Sequence, residues 1–132
     1  MTQQATTPFV NPIAGVTGMG TTIVQVYDVT AQTASGTITL TLPQAITKGK
    51  MRIKSTAVNA STTTAIGAVT ATDGTNPVQI SAALLPTTAA GARFDLLLDF
   101  ACDIQATSIS FATTLAGATQ AATINTELYG NP

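Results

Sequence analysis

In three stretches of this 132-residue chain, side-chain chemistry changes at every second position. From Gly36 to Leu42, Ile38, Leu40 and Leu42 alternate with Thr37, Thr39 and Thr41. From Lys48 to Lys54, Lys48, Lys50, Arg52 and Lys54 alternate with Gly49, Met51 and Ile53. From Arg93 to Ile104, Phe94, Leu96, Leu98, Phe100, Cys102 and Ile104 alternate with Arg93, Asp95, Leu97, Asp99, Ala101 and Asp103. A strand turns successive side chains to opposite faces, so each stretch predicts a strand with one buried and one wet face. The third also aligns Asp95, Asp99 and Asp103 at helical spacing. Its unbroken apolar row favours a strand. Fully extended it would reach about 40 Å, so a bend or bulge is expected inside it.

The remaining chain supports the same class. Thr21–Thr30 is rich in β-formers, Ser61–Ala71 and Val78–Ile80 are weaker strands, and Thr107–Thr113 and Thr123–Tyr129 alternate again, with Ile109 and Phe111, then Ile124, Leu128 and Tyr129, as apolar contributors. Pro43 is expected to end the strand before it, Asp73-Gly74 and Asn76-Pro77 mark turns, and Ser81–Leu85 fits one helical turn. Many short strands with polar turns predict an all-β antiparallel sandwich, jelly-roll-like, over residues 21–132. Residues 1–20 carry Phe9, Val10 and Ile13 among prolines and glycines. They read either as a free tail or as an extended N-terminal arm docking those apolar residues on a neighbouring subunit.

Composition narrows the function. Charged residues make up 8% of the chain, against a usual share of about 25%, while threonine occurs 27 times and alanine 22 times. A threonine-coated, nearly neutral surface packs against neighbours with little charge to desolvate, which favours an assembly component. Histidine is absent and cysteine occurs once, at Cys102 on the apolar row. No internal disulfide, cysteine-based zinc site or activated nucleophile is therefore expected. Asp95, Asp99 and Asp103 stand about 13 Å apart along an extended strand, too far for paired glycosidase carboxylates or one calcium ion. No enzyme activity, cofactor or metal is expected. Neither a signal peptide nor a membrane-spanning segment is visible, which predicts synthesis in a cytoplasm.

The run Ile38-Thr-Leu-Thr-Leu-Pro43 followed by Lys48-Gly49-Lys50-Met51-Arg52-Ile53-Lys54, with a Thr/Gly-rich continuation over Ser61–Gly74, resembles tailed-bacteriophage structural β-domains. Capsid decoration or cement proteins and head-fibre proteins are among them. The resemblance covers roughly residues 36–75. It implies a virion protein on the capsid surface, a major capsid protein as partner, and a homo-oligomer, with a trimer suited to threefold junctions. A tail- or head-fibre module and a carbohydrate-binding sandwich are the alternatives. The sugar reading is weakened by the absence of tryptophan, leaving Tyr27 and Tyr129 for stacking.

Four of the five basic residues lie on one strand face, at Lys48, Lys50, Arg52 and Lys54. They read as a solvated face, as a nucleic-acid footprint, or as partners of Asp95, Asp99 and Asp103. Without interleaved aromatics, and in a net-acidic chain, the nucleic-acid reading is the weakest. Opposite charges on neighbouring strands can pair. Pairing is favoured over solvation, and pairing inside one subunit over pairing between two.

Overall fold

The computed structural model describes residues 2–5, 9–10 and 22–132, and among these every regular element is a strand. In chain order they are β1 (Thr2–Ala5), β2 (Phe9–Val10), β3 (Thr22–Gln32), β4 (Gly36–Val58), β5 (Thr63–Thr72), β6 (Pro77–Gln79), β7 (Asp95–Ala116) and β8 (Ala122–Asn131). All pairings are antiparallel, in the order β1-β3-β8-β4-β7-β5-β6, with β2 also on β3. Three pairs are nested: β5 with β6 innermost, β4 with β7 around them, β3 with β8 outermost. Nesting of this kind is the winding of a jelly roll.

The long strands β4 and β7 each serve two layers. Lys48–Lys54 of β4 lies between β8 and the Asp95–Ala101 part of β7, and β8 pairs on to Val58. Gly36–Thr41 of β4 pairs instead with Ser108–Thr113 of β7, whose other edge takes β5. The two halves close on one core. Val24, Val26, Met51, Ile53, Phe100 and Leu128 come from one layer, and Ile38, Leu40, Ile66, Val69, Ile109 and Phe111 from the other. The protein is an antiparallel β-sandwich built from a sheet that folds over itself.

Where the long strands change layer, their alternation changes phase. In β4 the core side chains are Ile38, Leu40, Leu42 and Ile46, then Met51 and Ile53. In β7 they are Phe100 and Ala106, then Ile109, Phe111 and Leu115. The β4–β7 register shifts between Thr41 and Ile46 and again between Ile46 and Lys48. A bulge adds a residue on one strand, so it reverses which parity faces inward while bending the strand. The bend expected within Arg93–Ile104 lies at its far end, and the Thr107–Thr113 strand is its continuation.

Two expectations are corrected. Pro43 does not end a strand. It is exposed, in the stretch of β4 that has no β7 partner, so its missing N–H removes no ladder bond. Ser81–Leu85 is not helical either. The segment after β6 runs along the outer edge of β5, with Ile80 N–H donating to the Val69 carbonyl at 2.8 Å and Leu84 and Leu85 N–H to the Ile66 carbonyl at 3.1 Å. Tertiary pairing overrides the local preference and covers an otherwise open edge.

β1 and β2 pair with β3 of the same chain: Gln4 opposite Tyr27, Phe9 opposite Ile23, Val10 opposite Thr22. Ile13 lies outside the described residues. The Asp73-Gly74 turn joins β5 to β6 as expected. Asp73 Oδ1 accepts the N–H groups of Thr75 and Asn76 at 2.8 and 2.7 Å, and Gly74 has φ +98°. These bonds, that of Asn76 first, hold the Asp73 carboxyl below the usual carboxylate range. A pair of glycines elsewhere permits close approach. Gly49 faces Gly130 across β4 and β8, and a Cβ on Gly130 would lie 2.5 Å from Ile46 Cδ1.

Candidate binding face

Core parity in one layer dictates what its other side carries. With Val24, Val26 and Asp28 inward on β3, the outward residues are Gln25, Tyr27 and Val29. By register, Gln25 lies opposite Tyr129, Tyr27 opposite Glu127 and Val29 opposite Asn125 on β8. The next strand sets Lys50 opposite Tyr129, Arg52 opposite Glu127 and Lys54 opposite Asn125. β7 completes the rows with Asp99, Leu97 and Asp95. Four strands thus present three rows: Gln25–Tyr129–Lys50–Asp99, Tyr27–Glu127–Arg52–Leu97 and Val29–Asn125–Lys54–Asp95.

The basic and acidic ladders meet within one subunit. Arg52 donates to both carboxylate oxygens of Asp95, from Nε at 2.9 Å and from a terminal nitrogen at 2.5 Å. This planar fork holds the Asp95 carboxyl below the ordinary carboxylate range, with Lys54 adding to the effect, and raises the Arg52 guanidinium further. Lys50 Nζ lies 3.9 Å from Asp99 Oδ1, a looser pair with an exposed carboxylate. Lys48 faces Ala101, and neither it nor Asp103 belongs to either of these ion pairs. Asp103 lies beyond the paired register, in the stretch where β7 bends. No cluster of three metal-ligating side chains occurs among the described residues, and Cys102 is half-buried with its thiol 3.5 Å from the Thr47 carbonyl.

The same face carries both tyrosines of the chain, as diagonal neighbours on β3 and β8. Tyr129 was expected among the apolar contributors of its strand. It lies outward instead, because Ile124 and Leu128 set the inward parity of β8. Neighbouring amides fix both phenols. Asn125 Nδ2 donates to the Tyr27 hydroxyl at 2.9 Å, and Gln25 Nε2 to the Tyr129 hydroxyl at 3.4 Å. Tyr27 has the opposite parity to Val24 and Val26, and Tyr129 to Ile124 and Leu128. Their convergence required the β3–β8 register.

Behind this face, Asp28 is fully buried on the core side of β3. Its Oδ2 accepts from Thr30 Oγ1 at 2.5 Å, while among the described residues Oδ1 has no hydrogen-bond partner, nor has Oγ1 of Thr126 directly opposite. Burial raises the Asp28 carboxyl above its ordinary value, opposed in part by the Thr30 bond.

No protein-family model and no curated protein sequence matches this chain. Among solved structures it is similar to the CBM22-1–GH10 modules of endo-1,4-β-D-xylanase 10B from Clostridium thermocellum, complexed with xylohexaose. That match is 14% identical at a TM-score of 0.47, over 98% of this chain and 24% of the other. The enzymatically active domain of tailspike protein 4 from bacteriophage CBA120 matches at 17% identity and a TM-score of 0.47, over 97% and 18%. A xylan-binding domain from CBM 22 matches at 16% identity and 0.42, over 98% and 82%. The chain spans about a quarter of the first protein and under a fifth of the second. None of these similarities identifies a function for this chain.

Proposed function

We propose that this β-sandwich is a non-catalytic carbohydrate-binding module, and that the β3-β8-β4-β7 face is where the sugar sits. The observation that carries this reading is the pairing of Tyr27 and Tyr129 on one accessible sheet face, each phenol held by a neighbouring amide. Sugar rings offer an apolar C–H face and a rim of hydroxyls. Tyrosine rings take the first, and fixed planar groups such as the Asn125 amide and the Arg52 guanidinium suit the second. Because hydrogen bonds and the Arg52–Asp95 fork already restrain these side chains, little ordering remains to be done on binding. The test is retention on immobilised neutral and acidic polysaccharides. Retention that falls for Tyr27→Ala and Tyr129→Ala, with melting temperature unchanged, supports the reading. No retention, or retention indifferent to both changes, refutes it.

A second reading keeps the virion role, as a capsid decoration or cement protein on the head surface, synthesised in the host cytoplasm. What favours it is Leu97, an aliphatic side chain 80% exposed on that face. An apolar residue there suits burial against a major capsid protein, and a trimer would bring several copies to one junction. Co-sedimentation with heads lacking the protein tests it. Failure to bind them, together with polysaccharide retention, leaves the first reading alone.

A further inference from the structure

Between Asp95 and Ala101, β7 is an edge. Among the described residues it is hydrogen-bonded to β4 on one side only, because β5 joins β7 further on, at Ser108–Ala116. The phase of that edge is fixed by Ser55, whose N–H donates to the Phe94 carbonyl at 3.0 Å. In an antiparallel ladder the directly bonded residues recur every second position. Leu96, Leu98 and Phe100, opposite Ile53, Met51 and Gly49, therefore bond to β4. The N–H and C=O groups of Asp95, Leu97, Asp99 and Ala101 point the other way. The adjacent side chains are also incompletely covered. Leu97 is 80% exposed, and Leu96 and Leu98 on the core side are only partly buried. A depression of about 290 Å³ lined by Lys50, Met51, Leu97 and Asp99 lies alongside.

We infer that this edge accepts an extended peptide segment from a different protein as an added strand. Its chemistry follows from the edge: apolar residues over Leu96 and Leu98 on the core side, alternating with lysine or arginine on the outer side, where one faces Asp99 and the stem of another covers Leu97. Among the described residues the carboxylate of Asp99 is held only by the loose contact to Lys50, whereas that of Asp95 is already engaged by Arg52. A second copy of this chain fits badly. A two-fold axis through Leu97 sets Asp95 against Asp99, and one through Asp99 sets that carboxylate against itself. An axis through Leu98 buries Leu97 against Asp99. Each register is penalised by like charge or by a charge against apolar surface. Main-chain bonds supply affinity in such strand addition, and alternate side chains supply selectivity.

The experiment uses the full chain and a short, end-capped, fluorescently labelled peptide in which valine alternates with lysine. Controls are a peptide of the same composition with valines and lysines in blocks, and one with glutamate in place of lysine. The alternating basic peptide is expected to bind best, read by fluorescence anisotropy. Leu97→Pro removes an outward N–H that β4 does not use and is expected to weaken binding roughly tenfold with the melting temperature retained. Asp99→Lys is expected to weaken it by roughly fivefold and to improve binding of the glutamate peptide. If Leu97→Pro fails to fold, the Asp99→Lys exchange of preference decides, together with slowed amide exchange at Leu97 and Ala101 in the complex. Equal binding of alternating and blocked peptides overturns the inference. So does a native dimer in sedimentation that Leu97→Pro disperses, which assigns the edge to a second copy.

Discussion

The contact between Ile46 and Gly130 allows a quantitative test of how the two layers join. Ile46 is fully buried at the position where β4 changes register, and its side chain lies over Gly130 of β8. A Cβ at residue 130 would stand 2.5 Å from Cδ1, 2.8 Å from Cγ2 and 3.2 Å from Cβ of Ile46. The first two separations are impossible for real atoms, so Gly130→Ala must push Ile46 off its place. Overpacking of this kind costs about 1–3 kcal/mol, offset by about 0.4–1 kcal/mol because alanine restricts the unfolded chain. The net expectation is a loss of about 1–2 kcal/mol. Ile46→Ala alone is expected to cost about 2–5 kcal/mol through lost burial and the void it leaves.

In the double variant the clashing Cδ1 and Cγ2 atoms are gone, only the tight Cβ contact remains, and the new methyl group fills part of the void. The double variant should therefore be no less stable than Ile46→Ala alone, giving a coupling of about 1–2 kcal/mol. Urea unfolding followed by far-ultraviolet circular dichroism measures all four corners of the cycle, provided the m-value is constant. Additivity within about 0.5 kcal/mol, or a Gly130→Ala chain as stable as the native one, would refute this packing account. Gly49 provides the contrast. A Cβ there meets the Tyr129 carbonyl oxygen at 2.5 Å, a backbone atom that no side-chain truncation removes.

Two further outcomes follow from the charged groups. Reversing Arg52 or Asp95 singly should lower the melting temperature, and exchanging the two should recover it; absence of recovery would remove the fork as a stabilising contact. Asp28 should destabilise the fold progressively as pH rises past the ordinary carboxylate value, because the folded chain holds its proton more tightly than the unfolded one. Asp28→Asn should thus melt higher than the native chain at neutral pH, with the difference closing as pH falls. A difference independent of pH would show that the buried charge is not its source. Asp73 and Asp95 act in the opposite sense, since their lowered values give stability that is lost on acidification.

Parts of both layers were legible from alternation alone. Ile38, Leu40 and Leu42 are buried as their spacing requires, and Lys50 and Arg52 meet Asp99 and Asp95 inside one subunit. What alternation cannot carry is a change of phase. Nothing local marks the inward row of β7 passing from Ala106 to Ile109, because the bulge depends on how many residues β4 spends on the same bend. Pro43 misled for the same reason: its effect depends on whether a partner strand needed its N–H. The two tyrosines are more than a hundred residues apart in sequence, and the register that joins them is set by other residues. Asp28 carries no local sign of burial; the strand's parity puts it inside, between Val26 and Thr30.

The nesting of strands also orders events during synthesis. β4 takes β8 on one side of Lys48–Lys54 and β7 on the other, and both are made after it. β3 likewise waits for β8, its principal partner. As the chain leaves the ribosome, the Lys48–Lys54 segment therefore passes through a period with neither neighbour present, exposing two open edges and the apolar Met51 and Ile53. Like charges at every second position discourage that segment from pairing with its counterpart on another nascent chain. Once Asp95 and Asp99 arrive, Arg52 and Lys50 close onto them. The basic ladder thus protects the unfinished chain before it secures the finished one.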